Sequence, residues 1–271
     1  MARKHNSGSR RRARGDARAQ RANAGTERAP SPWLYGIHSV LAALSNPDRV
    51  CERLLIADDD LAEIAQATAA PLERTALIER VGTEDIGEIL PFGAVHQQIA
   101  LYARPLEDPG LDAAIHKARP NGRIVVLDQV TDPHNVGAII RSAAAFGVTA
   151  VVMQDRHAPP VTGVLAKAAS GGLEAVDLVR ETNLSRSLDQ LKRNNFWCIG
   201  LDGASDQSIA TAAVGGPMAL VLGAEGSGMR RLVRESCDTL ASIPQTSSVE
   251  SLNVSNAAAV ALYEISRTGK K

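Results

Sequence analysis

Three polar stretches of this 271-residue chain hold the side chains with chemical capacity, and each follows an apolar run. They are TDPHNVGAIIRSAAAFG (Thr131 to Gly147), GAEGSGM (Gly223 to Met229) and IPQTSSVESLNVSNAA (Ile243 to Ala258). Glycines at a strand end let a ligand approach backbone amides closely, so the second stretch reads as a binding loop. It is not a nucleoside-triphosphate loop, because Met229 and Arg230 stand where a Lys and a Ser or Thr would have to reach phosphate and Mg²⁺. Nor is it a dinucleotide fingerprint: Gly223, Gly226 and Gly228 are spaced GxxGxG and lie near the end of the chain. The six histidines show no HxH or HExxH spacing and no GxSxG elbow occurs, which removes metallohydrolase and serine-hydrolase chemistry.

Each candidate also has a plainer reading. Arg141, alone among Ala and Ile, could be a snorkelling or ion-paired side chain, and Asn253 or Ser255 could be a helix N-cap. Asn135 and Arg141 are six residues apart and need not share a helix face.

The elements that must position these loops are legible as apolar runs: RIVVLDQV, TAVVMQ, AVDLV, FWCIGL, MALVLG and TLASI, with helical patterns between most of them. Continuous rather than alternating runs predict a parallel sheet covered on both faces, whose carboxyl edge is where ligands bind. Val254, Ala257, Ala258, Ala261, Leu262 and Ile265 repeat at helical spacing and predict a final helix packed on that sheet. Upstream, residues 32–104 read as a small α/β domain of three short strands and three short helices. Residues 105–120, rich in Pro and charge, read as a linker with a short helix in it, and residues 121–271 as the catalytic domain.

Zero net charge conceals a segregation. Residues 1–28 carry nine basic and two acidic side chains, a net of +7, so residues 1–31 read as a basic disordered tail suited to a polyanion, or as a merely solvated one. A transit peptide is a weaker fit, since the segment has almost no apolar face. No run approaches the length of a membrane helix, and Cys51, Cys198 and Cys237 form no CxxC pair. A cytoplasmic protein without membrane or metal partners is expected.

Taken together and in order, DPHNVGAIIRSA, LVLGAEGSGMR and IPQTSSVESLNVSNAA resemble the three motifs of the SpoU (TrmH) family of RNA ribose 2′-O-methyltransferases. LYGIHSVLAAL and VHQQIAL resemble the start and end of the small RNA-binding domain of the subgroup that methylates a guanosine in the peptidyl-transferase region of 23S rRNA. The resemblance implies a SPOUT-type catalytic sheet closed by a deep trefoil knot, S-adenosyl-L-methionine as cofactor, a homodimer, and 23S rRNA or an assembling large ribosomal subunit as partner. It places cofactor contacts on Gly223, Ile243 and Leu252, and active-site groups on Asn135, Arg141, Glu225, Asn253 and Ser255. Arginine stays protonated in proteins, so Arg141 is expected to stabilise a developing alkoxide and grip a phosphate, with Glu225 or a phosphate oxygen taking the proton. Asn256 departs from the family, which more often has a small apolar residue there. A tRNA ribose methyltransferase and a catalytically silent RNA-binding or assembly factor are the alternatives.

Residues 32–104 hold five basic and eleven acidic side chains, a net of −6, which suits an RNA-binding domain poorly. Either a local basic patch within the domain or the +7 tail, acting as a nonspecific tether, has to supply the attraction.

Overall fold

The computed structural model describes residues 33–246 and 251–268; the basic tail lies outside the described residues. The described residues build two sheets. The first contains β1 (Trp33–Tyr35), β2 (Cys51–Ile56), β3 (Ile78–Arg80) and β4 (Ile99–Ala103) in the order β1-β4-β2-β3, with β4 antiparallel to both of its neighbours. Helices α1 (Ile37–Ser45), α2 (Asp59–Ala69) and α3 (Thr83–Ile89) connect them. Local chemistry sets the helix starts: Asp58 accepts from Leu61 N at 2.8 Å to cap α2, and the Gln97 amide oxygen accepts from Ile37 N at 3.2 Å at the start of α1. The sequence predicts three strands here and the structure has four. β1 is only three residues long, directly after a Pro-containing boundary, and it forms because β4 offers it an open edge.

The second sheet has six parallel strands: β5 (Arg123–Asp128), β6 (Val148–Gln154), β7 (Asp177–Glu181), β8 (Trp197–Leu201), β9 (Met218–Gly223) and β10 (Thr239–Ala241). Their spatial order is β10-β8-β9-β5-β6-β7, so the chain reverses its direction of growth between β5 and β9. Both faces are covered, and the strand period sorts the side chains between them: Val125 and Leu127 enter one core, Ile124 and Val126 the other, and β9 repeats this with Leu220 and Leu222 against Ala219 and Val221. α5 (Pro133–Ala145), α6 (Gly163–Ala169) and α10 (Val254–Thr268) cover the first face, joined by the one-turn α8 (Ile209–Ala212). The second is covered by α4 (Gly110–Ala118), α7 (Leu184–Arg193) and α9 (Arg231–Glu235). α4 falls inside the segment read as a linker. Its Leu111, Ala114, Ile115 and Ala118 are buried against Ile124 and Val126, so this stretch is part of the larger sheet's core.

The two sheets share one core cluster, in which Leu34, Val40 and Leu101 join Val136, Ile140 and Leu165. Polar ties run alongside it. The Ser39 hydroxyl donates to Ala166 O at 2.8 Å, and partly buried Glu174 accepts from Asn46 Nδ2 at 2.7 Å and from Arg49 Nε at 3.2 Å. A buried ion pair stands only if its remaining groups are satisfied, and here the other Arg49 nitrogens reach Glu174 Oε1 and Arg104 O.

Every arginine in residues 32–104 is engaged in this way. Arg53 pairs with Glu79, Arg80 with Asp59, Arg104 with Glu52, and Arg74 donates to the carbonyls of Leu44, Asn46 and Arg49. The local basic patch considered from sequence is therefore not formed. No helix among the described residues is long and apolar enough to cross a membrane, and none of their His, Cys, Asp and Glu side chains group into a metal-binding set.

Candidate active site

The three polar stretches converge at the carboxyl edge of the parallel sheet, where β5, β8 and β9 end. Asp128, the last residue of β5, lies opposite Gly223, the last of β9. It is fully buried and accepts from Arg230 N at 2.7 Å and Arg230 Nε at 2.7 Å. This charged clamp ties the end of the glycine loop to the neighbouring strand. Its partners are 102 positions apart, so the sequence shows only a single acid closing the run RIVVLD.

Between these anchors the loop closes on itself. Ala224 N donates to Gly228 O at 3.1 Å and Gly228 N to Ala224 O at 2.9 Å, while Gly226 and Gly228 take φ of 77° and 66°. Gly223 is required for a reason other than ligand approach: a Cβ there would lie 2.2 Å from both Gly228 C and Met229 N.

Beside the loop lies a cleft of about 670 Å³, within the range of small-molecule sites. Gly223, Ile243 and Leu252, the three residues expected at a cofactor, all line it. Leu201, Leu222 and Met229 add apolar wall. Two lining residues that the sequence did not single out form an ion pair, Arg234 Nε to Asp202 Oδ2 at 2.7 Å. The Ala204 N–H, followed by the Arg234 guanidinium, holds the Asp202 carboxyl below its ordinary range.

Glu225 belongs both to the cleft lining and to a polar cluster next to it. Its Oε1 accepts from Asn253 Nδ2 at 2.6 Å, Asn135 Nδ2 at 3.2 Å and Val254 N at 3.2 Å. Asn253 Nδ2 also donates to Asn135 Oδ1 at 2.9 Å, closing a three-residue ring. The other end of the Asn253 amide accepts from Ser255 N at 2.9 Å and Ser255 Oγ at 2.6 Å, the geometry of an N-cap. Asn253 is thus a cap and an element of the cluster at once, so the two readings of this residue do not compete. Asn135 reaches the cluster from the first turn of α5, whose start is capped by Asp132 accepting from His134 N at 2.9 Å.

Arg141 is not brought into this cluster. It is exposed, six residues or about 9 Å further along α5, and has no hydrogen-bond or ion-pair partner among the described residues. The ion-pair reading thus finds no partner among the described residues, whereas an exposed guanidinium remains compatible with snorkelling. Asn256 is exposed too, so the family's apolar preference there has no packing counterpart in this chain. Cys51, Cys198 and Cys237 carry free thiols. Burial and Asp238 push Cys237 up to about 12, which keeps it protonated near neutrality.

Comparison with known proteins places this geometry. The family model described as SpoU rRNA Methylase family matches residues 122–263, and one described as RNA 2′-O ribose methyltransferase substrate binding matches residues 33–109. The chain is 41% identical over 241 residues to the 23S rRNA (guanosine-2′-O-)-methyltransferase RlmB of Yersinia pestis, covering 88% of this chain and 97% of that one. To the same-named protein of Pasteurella multocida it is 40% identical over 239 residues, covering 86% and 97%. The fold is similar to that of the SpoU methyltransferase AviRb from Streptomyces viridochromogenes, crystallised in complex with AdoMet (TM-score 0.72, 24% identity, 88% and 91% covered). It is also similar to an AdoMet-bound rRNA methyltransferase from Sinorhizobium meliloti (TM-score 0.70, 22% identity, 87% and 86% covered). Matched over more than half of its length by the methylase model and along most of it by these relatives, the chain belongs to the SpoU rRNA methylase family.

Proposed function

We propose that this chain transfers a methyl group from S-adenosyl-L-methionine to the ribose 2′-hydroxyl of a guanosine in 23S rRNA, free or within an assembling large subunit, working in the cytoplasm as a homodimer with a knotted catalytic domain. The observation that carries the reading is Glu225, which joins the cleft to the Asn135–Asn253 cluster and so sets a hydroxyl-handling group against a cofactor-sized space. The identity to RlmB proteins along nearly their whole length supports the substrate.

The cleft suits this cofactor chemically. Leu201, Ile243 and Leu252 offer apolar surface to an adenine, and Arg234, Asp202 and Glu225 offer charges of both signs to a zwitterionic, sulfonium-bearing molecule. When bound, the cofactor supplies an electrophilic methyl group for in-line displacement.

A ribose hydroxyl is a weak nucleophile, so it has to be placed in line and relieved of its proton. Oε1 of Glu225 is committed to three donors, which leaves Oε2, or a phosphate oxygen of the RNA, to take that proton. Asn135, Asn253 and Ser255 hold Glu225 and the start of α10 in register. Arg141, unpartnered among the described residues, supplies a guanidinium to the alkoxide and the adjacent phosphate once RNA or the second subunit is in place. Val260 and Tyr263 leave apolar surface exposed on α10, and Phe146 packs edge-on against Tyr263, which favours a subunit contact over the α5 and α10 faces.

Arg141→Lys is expected to lower kcat by about 100-fold, with RNA affinity changed far less, because an ammonium cannot present the planar fork. Near-normal turnover would remove this role.

The reading is tested by transfer of a labelled methyl group to 23S rRNA and to bulk tRNA lacking their modifications, with ribose methylation mapped by resistance to alkaline cleavage. Incorporation at one guanosine of 23S rRNA is the expected result. Incorporation into tRNA would overturn the substrate, and cofactor binding without incorporation into rRNA or assembly particles would overturn the activity.

A further inference from the structure

Phe92 stands wholly outside the protein, with a relative exposure of 108%. It is one of three phenylalanines in the chain, and an aromatic ring left in water is a costly way to fill a turn. The turn itself is firm. Ala94 N donates to Pro91 O at 3.0 Å and Gly93 takes φ of 77°, the type II pattern with Phe92 at its first corner. Leu90 and Ala94 on either side sink into a cluster with Tyr35, Leu55 and Ile86, and Val164 of α6 packs on the same cluster. Lys167 Nζ, also on α6, donates to the carbonyl of Val95, a residue that is itself 66% exposed. The result is a rigid tip carrying two apolar side chains.

The tip packs against α6, through Val164 and Lys167. α6 follows β6 after the connection of residues 155–162, and its first residue, Gly163, is so close to β1 that a Cβ would lie 2.4 Å from Tyr35 Cε1. β6 is two strands from β9, about 10 Å across the sheet.

Charge decides what the tip can hold. The surrounding module is net acidic and all five of its arginines already have a partner within the chain, so an RNA phosphate would have to compete for them with a carboxylate or carbonyl. What it does present is an aromatic face, and every nucleobase has a face to match.

We propose that Phe92 is a stacking platform for one unstacked base of the substrate RNA, flanked by Val95. The inference rests on the functional reading above and adds how the acidic module grips a polyanion: through a base rather than through the backbone.

The test compares wild type, Phe92→Ala and Phe92→Trp for binding to unmodified 23S rRNA across a series of salt concentrations, for methyl-transfer kinetics and for mass in solution. Phe92→Ala is expected to raise Kd and KM by about 5- to 100-fold, with kcat and the slope of log K against log salt unchanged, and Phe92→Trp to bind as wild type. Wild-type affinity in Phe92→Ala, or a loss accompanied by a shallower salt slope, would overturn the platform alone. A changed oligomeric mass with unchanged RNA affinity would overturn it in favour of a contact with a second copy of the chain. Wild type that neither binds nor methylates 23S rRNA would overturn the functional reading and the platform together.

Discussion

Asn253→Ala is expected to reduce methyl transfer by about 100-fold or more and to destabilise the fold by about 0.5 to 2 kcal/mol. Two losses are combined in that variant. The capping oxygen that holds Ser255 N and Oγ disappears, and so does the amide that bridges Glu225 and Asn135. Asn253→Ser separates them. A serine oxygen can still cap α10, but it is too short to reach Glu225 and Asn135 together. Its thermal midpoint is expected to stay near that of wild type while turnover falls as far as in the alanine variant. Full activity in Asn253→Ser would mean that the residue serves only as a cap. The comparison needs only a melting curve and single-turnover kinetics on each protein.

The second large effect is expected from the smallest substitution. In Gly223→Ala one methyl group would sit 2.2 Å from Gly228 C and Met229 N, both backbone atoms that cannot swing aside as a side-chain end could. The loop would have to open, breaking the paired bonds between Ala224 and Gly228 and pulling on the Arg230 clamp to Asp128. Overpacking of this kind costs about 1 to 3 kcal/mol, and it falls on one wall of the cleft. Calorimetric titration with S-adenosylmethionine is expected to show affinity lowered by at least about tenfold, and Tm should fall by several degrees. Wild-type cofactor affinity would show that the closed loop is not needed for binding. Gly226→Ala serves as a contrast: a Cβ there meets nothing within 4 Å, and only the positive φ opposes it, so the milder backbone penalty is expected.

Much of this site was legible in the sequence because it is local in sequence. The runs RIVVLD and MALVLG are apolar throughout, since a parallel strand covered on both faces has no polar side to show, and the glycine loop and the Asn-rich segment sit directly at strand ends. The final helix announced itself by its spacing. What escaped depends on pairing between distant residues. β1 is too short to carry a periodic signal and exists only through its pairing with β4. α4 lies among prolines and charges, and its four buried residues are evident only once the sheet they cover is present. The Asp128–Arg230 clamp spans 102 positions, and the Asp202–Arg234 pair joins the residue after β8 to helix α9, which no spacing rule connects. Gly223 lines the cleft, but its steric role is not legible in the sequence, because a clash with the loop's own backbone cannot be seen before the loop is closed. Net charge left one question open: counting five arginines in the small module cannot tell that each already has a partner.

The shared core beneath the two sheets has a consequence for how such an enzyme would choose its target. Leu34 and Leu101 sit in one cluster with Val136 and Leu165, and Glu174 locks Asn46 and Arg49 beside them. If Phe92 holds a base, the exposed turn and the cleft at Glu225 would therefore act as jaws of a caliper whose opening is set at folding. A caliper reads distance, not letters. An RNA would be accepted when its folded shape brings the guanosine to one jaw and a free base to the other. The tertiary fold of the rRNA, more than any nucleotide motif around the modified site, would then decide where the methyl group is placed.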